Sequence, residues 1–296
     1  MRVCVIGGSG FLGSHVADQL CAAGNEVIIY DRIASLWAKP EQTMLMGDLL
    51  EFDSLIDAVK GCDVVYNFAA LSDLNDALDK PIETVKINVL GNVNVLEACR
   101  QQGVKRFVYA STIYVYSREG GFYRCSKQAA EHYVEEYQRD YGLDYTILRF
   151  GSLYGPRSDL RNGLYKIVKK ALETGVVSYV GSPDSIREYI HVEDAARASV
   201  LATSCDFRNQ SLVITGREPM RVLDLLEMLA EILGCEDPVE FIADNQAGHY
   251  VRTPYAYKPQ LGQKYCPPLH VDLGQGLLQL IDEVHATSQR GTCSES

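Results

Sequence analysis

Tyr123 and Lys127 stand four residues apart in Tyr123-Arg-Cys-Ser-Lys127, at the start of a run with helical periodicity. On a helix that spacing brings a phenol and an ammonium to one face. A tyrosine with its ordinary pKa of about 10 is a poor base at neutral pH, but a neighbouring cation favours the phenolate and lowers that value. The pair could therefore take a proton from a hydroxyl and return it. Y-x-x-x-K alone is a common surface pair. It gains weight here because a strand-like run ending in Ser111 and Thr112 precedes it and supplies hydroxyl partners.

A second cluster lies at the N-terminus. Gly7, Gly10 and Gly13, with Phe11 and Leu12 between the last two, follow a strand pattern and open a helix pattern. The glycines permit a tight turn, close backbone approach to a pyrophosphate and close helix–strand packing. The helix N-terminus then offers N–H groups to the phosphates. Asp31 ends the next strand, near the offset at which a carboxylate meets the adenosine ribose, and it would repel a 2′-phosphate. This favours NAD over NADP, with the adjacent Arg32 weighing slightly the other way. Asp48, followed by Leu49, ends a third strand where a carboxylate can meet the adenine amino group. A turn or cap role for Asp48 stands equally open.

These residues need a scaffold, and the surrounding pattern supplies one. Strand patterns at Arg2–Ile6, Glu26–Tyr30, Thr43–Met46, Asp63–Asn67, Arg106–Ala110 and Asp144–Leu148 alternate with helical ones at Phe11–Ala23, Ser54–Val59, Pro81–Gln102 and Tyr123–Tyr141. The strands are continuous apolar runs, as in a parallel sheet buried on both faces. The fold class expected is α/β, a Rossmann-type doubly wound parallel sheet with a smaller, mixed α/β C-terminal lobe. Residues 1–155 form the cofactor part and 156–285 mainly the substrate part, some of whose elements can return to the main sheet. Residues 286–296 read as a polar tail. In the second part, helices are expected at Gly163–Thr174, Val192–Ser204, Val222–Leu233 and Leu273–Val284. Strand-like pieces at Val177–Val180, Ser211–Ile214 and Val239–Ile242 separate them.

Composition narrows the partners. A net charge of −11 over 296 residues argues against broad nucleic-acid or anionic-membrane binding. No apolar run is long enough to span a bilayer, and no leader is read before the first strand. The nine cysteines are scattered and never form C-x-x-C, so neither a metal site nor a disulfide framework is expected. A reducing cytoplasm fits.

Together these residues resemble the extended short-chain dehydrogenase/reductases, specifically the NAD-dependent epimerase/dehydratase group acting on nucleotide-diphosphate sugars. The landmarks are the glycine loop, Asn67-Phe-Ala-Ala70, Asn88-Val-Leu-Gly91, Ser111-Thr112 with Val115-Tyr116, Tyr123-x-x-x-Lys127, Tyr154-Gly-Pro156 and the run from Arg187 to Asp194. The resemblance implies that Tyr123 takes the proton from a sugar hydroxyl, usually at C4, while hydride passes to NAD. Lys127 would hold the nicotinamide ribose, Thr112 would hydrogen-bond the reacting oxygen, and Ser111 would sit nearer the cofactor. Ala69 and Ala70 would wall the cofactor, and Asn88 would be a structural or a substrate-facing polar group, the structural reading slightly ahead. Arg187 falls on the arginine that grips the substrate phosphates, a task suited to a bidentate guanidinium. Arg252 is a candidate second clamp. The resemblance also implies a homodimer, in which the Pro81–Gln102 and Tyr123–Tyr141 helices pair through Val93, Val95, Leu96, Tyr133, Val134 and Tyr137.

Three departures shape the functional expectation. Ile113-Tyr114 follows Thr112 where sugar 4,6-dehydratases carry Asp-Glu, so dehydration by that route is disfavoured. Only Ser117–Phe122 separates Val115-Tyr116 from Tyr123, a shorter loop than is usual. Ser152 stands where an asparagine commonly touches the diphosphate. The leading expectation is an epimerase working through a transient 4-keto sugar. A dehydrogenase or ketoreductase that consumes NAD(H), and a non-catalytic NAD-binding sensor, remain open as alternatives.

Overall fold

The computed structural model describes residues 1–235, 237, 239–242, 249–252 and 254. The helix expected at Leu273–Val284 and the polar tail lie outside them. The first half follows the strand–helix rhythm of the sequence: β1 (Arg2–Ile6), α1 (Phe11–Ala22), β2 (Glu26–Asp31), β3 (Thr43–Met46), α2 (Phe52–Val59), β4 (Val64–Asn67) and α3 (Leu74–Asp79). Next come α4 (Pro81–Val85), a π-helical turn over Lys86–Leu90 and α5 (Gly91–Gln102). β5 (Arg106–Thr112), a 3-10 turn (Ile113–Tyr116), α6 (Gly121–Tyr141) and β6 (Asp144–Phe150) complete it.

The second half contains β7 (Ser152–Tyr154), α7 (Gly163–Thr174), β8 (Ser178–Val180), β9 (Ile186–Arg187), β10 (Tyr189–His191) and α8 (Val192–Leu201). After these come β11 (Gln210–Ile214), β12 (Met220–Arg221), α9 (Val222–Leu233) and β13 (Glu240–Ile242).

Seven strands form one sheet in the order β11-β6-β5-β4-β1-β2-β3, every pairing parallel. This is the doubly wound arrangement the alternating pattern implied. Chain order reverses between β1 and β4, and in such sheets ligands bind at the carboxyl ends of the strands beside that point. The run at 211–214 does return to the main sheet, pairing with β6. Two apolar layers hold the helices. Val95, Leu96, Cys99, Ala130 and Val134 of α5 and α6 pack with Leu55 and Val59 of α2 on one face; Val16, Leu20, Ala195 and Ala196 of α1 and α8 pack on the other. Met1–Tyr257 is one compact unit, within which α7, α9, β8 and β13 share a small core of Ala171, Val177, Val222 and Leu226.

Two expectations change. Val95, Leu96 and Val134 are fully buried against the sheet, so they cannot contribute to an exposed pairing face. One-sided core packing accounts for that part of the pattern. The single helix expected over Pro81–Gln102 is interrupted by the π-helical turn. It places buried Asn88 toward the loop after β4, a use of an irregular turn that periodicity does not reveal.

Candidate active site

A cleft of about 800 Å³ opens at the carboxyl ends of β1, β2, β4 and β5. Its floor is the glycine loop. Gly7 has φ +77°, and a Cβ there would meet the backbone N of Ala69 at 2.5 Å, so only glycine lets the loop lie against the end of β4. Gly10, Phe11 and Leu12 line the cleft beside it. Gly13 lies underneath rather than in the lining: a Cβ there would be 2.3 Å from the carbonyl oxygen of Gly7. Its task is close packing of α1 on the loop.

At the far end of the cleft, the Asp31 carboxylate accepts the Ser9 N–H at 3.0 Å and the Ile33 N–H at 3.1 Å. Arg32, Asp48 and Leu49 also line this end. Asp48 serves as a turn residue too, its carboxylate accepting the Leu50 N–H at 2.9 Å and its carbonyl accepting the Tyr30 hydroxyl at 2.9 Å. Ala69 and Ala70 form the wall between the two ends. A glycine cradle open to phosphates, an apolar wall and a carboxylate at the second strand's end are the donor set a dinucleotide such as NAD needs.

Thr112, Tyr123 and Lys127 meet at the other side of the same cleft. β5 delivers Thr112 at its last residue, and α6 begins two residues before Tyr123 because Gly120 and Gly121 both adopt positive φ and turn the short loop into the helix. Thr112 caps the 3-10 turn, accepting the Tyr114 N–H at 3.2 Å, and a hydrogen bond between Thr112 and Tyr123 draws the phenol's pKa down. Burial outweighs it and pushes Tyr123 up to about 12. Lys127 is buried as well; burial brings its ammonium down to about 7 while Glu131 opposes the fall.

The lysine Nζ donates to the Ala110 carbonyl at 2.7 Å and lies over the Tyr123 ring, 5.8 Å from its centroid. Ser111 also borders the cleft, yet its hydroxyl points at Glu131, to which it donates at 2.5 Å.

Of the four residues named for substrate, Thr112 lines the cleft, while Ser152, Arg187 and Arg252 lie outside its lining. Ser152 begins β7 and pairs with Tyr189 in β10. Arg187 is buried in β9, its guanidinium 4.4 Å over the Tyr250 ring and its Nη1 donating to the Ile186 carbonyl at 3.1 Å. Arg252 is exposed and forms an isolated backbone bridge with Ile186. Arg187 and Arg252 are thus brought to adjoining places. A run of rings joins Arg187 to Tyr123: Tyr250 to Tyr114 at 4.9 Å, and Tyr114 to Tyr123 at 6.4 Å. Tyr114 also shares a 2.7 Å hydrogen bond with His249 Nδ1.

Sequence reasoning did not single out Tyr250, Glu131 or Arg149. Glu131 carried a usable signal, four residues beyond Lys127 on the same helix face. Tyr250 and Arg149 are placed by long-range packing and carried none.

The chain is 28% identical to the solved UDP-glucose 4-epimerase of Thermus thermophilus in complex with NAD, covering 89% of this chain and 95% of that one at a TM-score of 0.77. The UDP-glucose 4-epimerase of Thermotoga maritima solved with UDP-glucose is 26% identical at a TM-score of 0.79, over 87% of this chain and 90% of that one. A dTDP-glucose 4,6-dehydratase of Mycobacterium tuberculosis is also 26% identical, over 95% of this chain and 92% of its own length. Epimerases and dehydratases are therefore both among its relatives. Residues 3–214 match the NAD dependent epimerase/dehydratase family, and the chain belongs to that family.

Proposed function

We propose that this protein inverts C4 of a nucleotide-diphosphate sugar through a transient 4-keto sugar. Residues 1–155 would carry NAD and 156–285 mainly the substrate. The observation that supports it most is the convergence of Thr112, Tyr123 and Lys127 on the cleft that also holds the glycine loop and Asp31. NAD, when bound, accepts a hydride from the sugar carbon and returns it. Tyr123 takes the proton of the C4 hydroxyl and gives it back, so proton and hydride balance over a turnover. Thr112 donates a hydrogen bond to the reacting oxygen. Lys127 holds the cofactor ribose and supplies the cation that favours the phenolate, its Nζ anchored on the Ala110 carbonyl. The 4-keto sugar turns over between the two transfers and receives hydride on its opposite face.

Two features favour epimerisation over dehydration. Elimination of water needs an acid and a base beside C5 and C6, and the positions after Thr112 hold Ile113, fully buried, and Tyr114, bonded to His249. Arg187, reached from Tyr123 along the Tyr114 and Tyr250 rings, is the candidate for the diphosphate, with Arg252 beside it. Exposed Ile82, Val85 and Leu90, with Phe122, Tyr133 and Tyr141 on α6, are consistent with a homodimer, which light scattering reads directly.

The deciding experiment incubates the protein with UDP-, GDP-, CDP- and dTDP-sugars without added cofactor and follows the products by NMR. A C4 isomer supports the proposal. Turnover only on addition of NAD(H) replaces it with a dehydrogenase, and binding of NAD with no turnover replaces it with a sensor.

A further inference from the structure

Below the cleft lies a buried polar cluster that the steps above leave without a task. Glu131 stands one helical turn beyond Lys127 on α6, and both side chains are withdrawn from solvent. A carboxylate in such a place costs several kcal/mol unless it is paired. Glu131 is paired three ways. Ser111 Oγ donates to it at 2.5 Å, and the Arg149 guanidinium grips it with Nε at 3.0 Å and Nη2 at 2.7 Å. Arg149 in turn donates to the Tyr116 hydroxyl, whose ring centroid is 4.8 Å from the guanidinium carbon. One carboxylate therefore ties α6 to β5, β6 and the turn that follows Thr112.

The groups facing Lys127 come from each element packed on it. α6 supplies Tyr123 and Glu131. β5 supplies Tyr109, whose ring centroid is 4.8 Å from Nζ and whose buried hydroxyl has no hydrogen-bond partner among the described residues. Behind them, β6 supplies Arg149, whose guanidinium is held by Glu131, and the turn supplies Tyr116, which accepts from Arg149, and Tyr114, which meets Tyr123 edge-on. Burial raises the phenols of Tyr109, Tyr114 and Tyr123, which stay neutral, and Glu131 is the carboxylate among these groups. Its charge also opposes the loss of the Lys127 proton that burial drives.

We propose that Glu131 is a positioning residue for Lys127: held by Arg149 and Ser111, it keeps the ammonium charged where the cleft needs a cation beside Tyr123. The proposal rests on the reading in which Lys127 acts as that cation. A neutral lysine could still occupy the site but could not favour a phenolate.

The test follows the 13Cε shift of Lys127 in cofactor-free protein through a pH titration, assigned against Lys127→Arg. Glu131→Gln is expected to lower the midpoint by about one unit, a tenfold loss of proton affinity, and Glu131→Asp to recover most of it. An unchanged midpoint in Glu131→Gln overturns the proposal. If that variant does not fold because Arg149 is left unpaired, Glu131→Gln with Arg149→Met leaves no lone buried charge, and a fall of the same sign is expected. A midpoint that holds in the double variant overturns the proposal equally. Because no substrate is present, a wild-type protein that inverts no sugar sinks the epimerase reading, while the midpoints alone decide this one.

Discussion

The side-chain amide of Asn88 holds both backbone groups of Leu71, accepting its N–H at 2.8 Å and donating to its carbonyl at 3.0 Å. The same Nδ2 donates to Ser126 Oγ at 2.9 Å, one residue before Lys127. The π-helical turn that carries Asn88 thereby joins the cleft wall to the catalytic helix. Asn88→Ala would strand two half-buried backbone groups of Leu71, so a loss of about 1–2 kcal/mol is expected. Urea unfolding should show a lower midpoint with an unchanged slope.

Tyr123→Phe removes the hydroxyl and keeps the ring that meets Tyr114 edge-on. We expect kcat for C4 inversion to fall about 10²–10⁴-fold while NAD binding, read by calorimetry, stays unchanged. Activity that survives the substitution would assign the proton transfer elsewhere.

Lys127 makes stability pH-dependent, with a definite sign. In the unfolded chain its ammonium titrates at the ordinary lysine value; in the fold burial lowers it to about 7. Below the folded value both states carry the proton and the full cost of burying the charge stands. Between the two values the unfolded chain binds the extra proton, so stability rises with pH. Lys127→Met should therefore stabilise the protein most at about pH 6, with the gain shrinking toward about pH 10, in paired urea titrations.

Gly13→Ala places a methyl group 2.3 Å from the Gly7 carbonyl oxygen, a backbone atom that cannot swing aside. The loop must move away from α1. Calorimetry should show NAD affinity about tenfold weaker or worse, and thermal unfolding a lower midpoint.

Asp31→Asn keeps an acceptor for only one of the Ser9 and Ile33 N–H groups, turns a donor toward the other, and removes the negative charge from that end of the cleft. The ratio of NAD to NADP affinities should fall by about tenfold or more, since like-charge repulsion no longer opposes a 2′-phosphate. An unchanged ratio would mean that Asp31 does not face the ribose.

Local signals carried a large share of this protein. The strand at 2–6, the loop from Gly7 to Gly13, Asp31 and the Tyr123–Lys127 spacing all depend on neighbours within a few residues, where steric freedom and periodicity operate. So the parallel sheet, the cofactor end of the cleft and the helix face of the catalytic pair could be read before any coordinates. What depends on distant parts of the chain could not. Periodicity marks a residue as apolar without saying which surface covers it, and Val95, Leu96 and Val134 proved to be core. A lysine four residues from a tyrosine shares its face, but where its ammonium comes to rest is set by a distant partner, here the Ala110 carbonyl from β5. The Ser111–Glu131–Arg149 cluster and the line from Tyr123 through Tyr114 and Tyr250 to Arg187 join residues up to about a hundred and thirty positions apart. Only tertiary packing brings such groups within a few ångströms, because desolvation and pairing are properties of the folded surroundings rather than of the residue.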